Sequence, residues 1–127
     1  MRRFSLFLLI ALAVPHLIAR QLDGRIRGTV LDKDGTTPVA GAVVTVRNWI
    51  TTPDGVTHLR EALNLRTGRN GTYAAGTMYT GRITVGLVIN SQTVMTKGDR
   101  PGEELYLTSG SETVVDFDLS KAPPSRD

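Results

Sequence analysis

The sequence predicts an all-β fold, an antiparallel Greek-key-type β-sandwich of about seven strands preceded by a signal peptide. Three observations carry this. Apolar residues alternate with polar ones in several short runs, the period of a strand with one buried face. Those runs are rich in Val, Ile and Thr, whose branched side chains suit a pleated surface better than a helix. Gly, Pro, Asn and Asp cluster between the runs at turn spacing.

The chain opens on Met1-Arg2-Arg3, a positive segment, followed by an apolar run from Phe4 to Val14. Pro15 breaks that run, and Ala19 is a small residue suited to precede a cut. This pattern predicts a secretory signal peptide over residues 1–19. The run is shorter than the roughly 20 apolar residues a spanning helix needs, so no membrane span is expected after cleavage. A domain over residues 20–119 and a solvated tail over 120–127 follow. The expected location is periplasmic, cell-surface or secreted.

The formal charge of +3 and the pI of about 9.7 belong partly to the leader. From Gln21 onward 12 Lys+Arg face 12 Asp+Glu, because Arg2, Arg3 and Arg20 drop out of the 15. No basic run remains, which argues against a nucleic-acid partner. Cys is absent, so no disulfide can staple the fold. Burial of roughly two-thirds of the unfolded surface must hold it together.

Gly24 to Asn48 organises the rest. Ile26 and Val30 fall on one side with Gly28 between them, and Arg25, Arg27 and Thr29 on the other. Asp32 to Pro38 is a turn. Ala42, Val44 and Val46 then alternate with Val43, Thr45 and Arg47. Gly28 and Gly41 are expected at a close backbone approach or a bulge. After the turn Thr51–Gly55, residues 56–66 form a third strand. Leu59, Leu63 and Leu65 share a parity with Glu61, so a bulge or a rim position is needed. A helix over Thr57 to Leu65 is the alternative. Asn70-Gly71 is a strong hairpin signal. Thr72 to Ala75 is a short strand with Tyr73 inward, and Gly76 to Gly81 a loop. Ile83, Val85, Leu87 and Ile89 mark the clearest inner face, and Gln92 to Lys97 returns beside it. Leu105 to Thr108 is a short edge strand. Glu112 to Leu119 closes the fold with Val115, Phe117 and Leu119 inward.

The block Gly28-x-Val30-x-Asp32, Gly35, Pro38-Val39, Gly41-Ala42 and Val44-x-Val46 resembles the start of the carboxypeptidase regulatory-like domain, a transthyretin-like β-sandwich. Asn70-Gly71-x-Tyr73 is similar to that family's second landmark, and Val115 to Leu119 to its last strand. The resemblance spans residues 24–119. The family's Gly-x-Tyr step is replaced here by Gly76-Thr77-Met78-Tyr79-Thr80-Gly81-Arg82. The resemblance implies a non-catalytic accessory or binding module and brings no catalytic residues.

The residues themselves offer no catalytic centre, cofactor site or metal site. His58 is the one histidine past the leader, near a turn, with no nucleophile pattern around it. Asp32-x-Asp34-Gly35 opens like a calcium loop, but Thr37 and Val43 stand at its sixth and twelfth positions, where Gly and Glu are required. Asp99, Glu103 and Glu104 read as a solvated acidic loop. Three aromatics remain as candidate ligand contacts: Trp49, Tyr79 and Tyr106. Trp49 either plugs one end of the sandwich or stacks on a sugar ring. The expected function is a carbohydrate-binding or protein-binding module, with a structural envelope protein as the alternative and a hydrolase with an unrecognised site as a third reading.

Overall fold

The computed structural model describes residues 22–122. They form nine strands: β1 (Gly24–Leu31), β2 (Val43–Thr51), β3 (Thr57–Arg66), β4 (Thr72–Met78), β5 (Gly81–Ile89), β6 (Gln92–Lys97), β7 (Leu105–Leu107), β8 (Glu112–Val114) and β9 (Phe117–Asp118). A 3-10 turn over Leu119–Lys121 ends them. Among the described residues no helix is long and apolar enough to cross a membrane. One sheet has the order β4-β1-β8, with β9 also on β1. The other has the order β3-β2-β5-β6, with β7 also on β5. β1 and β2 thus do not pair with each other. Each is an interior strand of its own sheet, and the turn between them arches from layer to layer.

The alternation places the core where the sequence puts it. Ile26, Val30, Tyr73 and Phe117 of one layer meet Val44, Val46, Ile83, Val85 and Leu87 of the other, all buried. Burying each large apolar side chain contributes roughly 1.5–3 kcal/mol. Buried polar groups are few. Thr67 is one, and its hydroxyl is satisfied: it accepts from the Ala42 N–H at 2.9 Å and donates to the Val39 carbonyl at 2.6 Å.

The structure departs from the expected layout in four places. The strands number nine rather than seven, chiefly because the closing strand is broken. Between β8 and β9 the Val115 carbonyl turns inward and accepts from the Tyr73 hydroxyl. Asp116 Oδ1 then accepts from the Thr29 N–H at 2.9 Å, where a strand carbonyl would have stood. Gly28 makes this possible, since a Cβ there would collide with the Val115 carbonyl and the Tyr73 ring. Second, β8 and β9 run parallel to β1, a pairing the antiparallel expectation lacks. Third, β4 continues through Met78, so only Tyr79 and Thr80 lie between β4 and β5. Fourth, Asn70-Gly71 is not a hairpin: β3 and β4 belong to different sheets, and Gly71 anchors the crossing by accepting from the Val30 N–H at 2.8 Å. The strand expected over residues 56–66 is observed, and the helical alternative for Thr57 to Leu65 falls because the segment pairs along β2 over nearly its full length.

Candidate functional site

Val44, Val46 and Asn48 point into the core, so Trp49 points out. The plug reading of Trp49 is therefore overturned: the inward residue at that end is Asn48, fully buried. Register then decides what stands beside the indole. Trp49 is opposite Leu59 on β3 and opposite Arg82 on β5, and Arg82 is opposite Tyr106 on β7. Directly opposed residues of an antiparallel pair share a face. Leu59, Trp49, Arg82 and Tyr106 therefore form one row across the outer face of the larger sheet, spanning roughly 14 Å at about 4.8 Å per strand. Leu59 and Tyr106 are 49% and 54% exposed. The Trp49 indole N–H donates to Thr84 Oγ1 at 3.0 Å, which draws the ring over β5 and satisfies its only polar atom.

A bulge puts Leu59 in that row. Asn48 pairs with Glu61 but Trp49 pairs with Leu59, so Arg60 is an extra residue on β3. Leu59 is moved to the face opposite Leu63 and Leu65. Below the row the same face carries Ala62, Arg47 and Thr84, then Asn64, Thr45, Gly86 and Thr96. Thr45 Oγ1 donates to Asn64 Oδ1 at 2.8 Å. Gly86 brings no side chain to the middle of that face.

Tyr79 stands apart from the row. It sits in the two-residue crossing from β4 to β5, half-buried, and its ring has the Arg60 guanidinium 4.6 Å from the centroid. The crossing is pinned by backbone: the Tyr79 N–H donates to Glu61 Oε1 at 3.3 Å, and its carbonyl accepts from Asn48 Nδ2 at 3.1 Å. The structure thus brings Trp49 and Tyr106 together and leaves Tyr79 around the β3 edge.

His58 is exposed at the start of β3. Its Nε2 is 3.5 Å from Thr52 Oγ1, and that hydroxyl donates to Asp54 instead. A hydroxyl held by the carboxylate leaves the imidazole no general-base contact of hydrogen-bond length. Asp34 is likewise committed to its own turn. Its carboxylate accepts from the Thr37 side chain and from the Thr36 and Thr37 N–H groups, which hold its pKa down at about 2. Among the described residues no group of three His, Cys, Asp or Glu could hold a metal. Glu104 accepts from the Gly102 N–H with both oxygens, at 3.0 and 2.8 Å. That bond first, and the charge of Arg82 last, lower its pKa. The concave spaces lie elsewhere: an open cleft of about 510 Å³ runs between β6 and the 98–105 loop, away from the aromatic row.

Arg82, Arg47, Thr84 and Leu59 are site residues that sequence reasoning misses. They become neighbours of Trp49 only through cross-strand register. One signal was present in the sequence: the odd parity of Trp49 sets it against Val44 and Val46.

No protein-family model matches the chain, and no curated protein does. Solved structures do match. One is the Bacillus anthracis TIE protein, at 19% identity and a TM-score of 0.44, over 75% of this chain. The matched region spans 16% of that longer chain. Another is a proposed carbohydrate binding protein of Pseudomonas aeruginosa, at 14% identity and a TM-score of 0.42, over 80% of this chain and 92% of that one.

Proposed function

We propose that the domain is an exported, non-catalytic module that binds carbohydrate on the outer face of its larger sheet. One observation carries this: the register that sets Trp49, Arg82 and Tyr106 side by side on the outer face of the sheet, where Arg82 and Tyr106 are exposed. An aromatic face next to hydroxyl and amide groups suits the apolar face and polar rim of a sugar ring. An open row of side chains also suits a polymer, whereas small molecules are held in enclosed pockets. The carboxypeptidase regulatory-like sequence pattern agrees with a binding role. The test is a polysaccharide pull-down with Trp49→Ala and Tyr106→Ala variants whose folding is checked by circular dichroism. Retention of the parent and loss of retention in both variants is the expected result. Unchanged retention in the variants would remove this face from the proposal. Export follows from the basic, apolar and Pro-broken N-terminal pattern, and N-terminal sequencing of protein from the cell exterior tests it.

A second reading, assembly with another chain by strand addition, draws on the ten-residue edge strand β3, which among the described residues pairs only with β2. The bulge at Arg60 interrupts that edge and works against it. A monomer at high concentration by light scattering would dispose of self-assembly.

A further inference from the structure

We infer that the ligand of the aromatic face is an acidic polysaccharide, one whose sugar carboxylates or equivalent anionic groups lie against Arg47 and Arg82. This rests on the binding reading above and narrows it to a chemical class. A charge imbalance between the two sheets supports it. From Gln21 onward the chain carries equal numbers of cationic and anionic side chains, so any one-signed face reflects placement and not bulk composition.

The outer face of the smaller sheet is balanced. Arg27 there is opposite Val114, one step from Glu112, and its Nε is 2.7 Å from the Glu112 carboxylate. That is the one pair of Lys or Arg with Asp or Glu within 4.0 Å among the described residues. The outer face of the larger sheet is different. Arg82, Arg47 and Arg66 all project from it and are exposed, while no Asp or Glu shares the paired rows of that face. Glu61, the one acid on β3, points the other way and accepts from Tyr79. Glu104 is near enough to Arg82 to feel its charge but is bonded to Gly102 and makes no ion pair with it.

Arg47 and Arg82 are diagonal neighbours on adjacent strands: Arg47 is opposite Thr84, and Trp49 is opposite Arg82. Diagonal positions stand roughly 7–8 Å apart. Two arginines on neighbouring positions beside an indole offer forked donors for carboxylates and a stacking surface for the ring that bears them. Close cations with no acid partner repel one another when the face is empty, and an anionic polymer relieves that repulsion.

The test uses the purified protein with matched polymer pairs: polygalacturonate against its methyl ester, and alginate and hyaluronate against their carboxyl-reduced forms. Affinity electrophoresis or calorimetry reads binding. The expected result is binding to at least one acidic polymer, at least about tenfold weaker binding to its neutral partner, and a loss of about tenfold in an Arg47→Gln/Arg82→Gln double variant. Binding should also weaken from about 0.01 M to about 1 M salt, as the screening length falls from about 30 Å to about 3 Å. Trp49→Ala must weaken binding too, because nonspecific adhesion to a polyanion would not need the indole. Equal binding to acidic and neutral partners overturns the acidic class and leaves the carbohydrate reading standing. Binding that survives Trp49→Ala overturns the inference as simple ion exchange. Retention on none of the polymers, charged or neutral, sinks both.

Discussion

Gly28 and Tyr73 show how much one position can decide. The inward turn of the Val115 carbonyl needs the Tyr73 hydroxyl as donor and empty space at Gly28. A Gly28→Ala variant should lose on the order of 3 kcal/mol or more, because the obstacle is backbone and cannot rotate away. Gly76→Ala is the control: its Cβ would meet only Arg25 Cγ at 3.8 Å, and its effect should stay within about 0.5 kcal/mol. Urea titration of both variants checks the contrast. Tyr73→Phe leaves a buried carbonyl without its donor and should cost about 1–3 kcal/mol. Burial, and then the charge of Asp116, push the Tyr73 phenol above its ordinary value of 10.0. The unfolded phenol ionises near pH 10 while the folded one resists. The stability tied to it is therefore complete below about pH 10 and falls as pH rises further. Tyr73→Phe should flatten that alkaline decline in a pH series of melting curves. Sequence reading finds Tyr73 inward and Gly28 at a close approach, but it cannot name Val115 as the partner of either, since nothing local ties residues so far apart in the chain.

At the scale of elements, turn chemistry is legible and pairing is not. The Asp32–Pro38 turn is where the sequence puts it, and Asp34 holds it by accepting from the Thr37 hydroxyl and from the Thr37 and Thr36 amides. Those bonds favour the ionised carboxylate, so Asp34 supports the fold above its ordinary pKa, and that support is lost as pH falls toward about 2. Asp34→Ala should lower the urea midpoint at neutral pH and flatten the acid limb of the stability profile. Asn70-Gly71 shows the opposite case. Its local chemistry reads as a hairpin, yet the chain uses the same turn to cross between layers, because β3 already has β2 as its partner and β4 has β1. The bulge at Arg60 is half-legible. The conflict between Glu61 and its leucine neighbours calls for an irregularity, but only the pairing with Asn48 and Trp49 locates it.

Over the whole molecule, the last strands close on the first. β8 and β9 run alongside β1, and Val115 and Phe117 enter the core. A chain stopped after Ser111 should therefore show no cooperative thermal transition, whereas one stopped after Ala122 should melt like the parent. Circular dichroism with temperature distinguishes them. The sequence by itself determined the strand faces, because alternation with a period of two is a local property that burial simply obeys. It carried the parity that sets Trp49 against Val44 and Val46, but it left open whether the indole plugged the sandwich end. Only the tertiary structure decided which strands share a sheet, where the closing strand breaks, and that Trp49, Arg82 and Tyr106 meet in one row with Arg47 beside it. Those outcomes depend on register between segments far apart in the chain, and register is fixed by the packing of two whole layers.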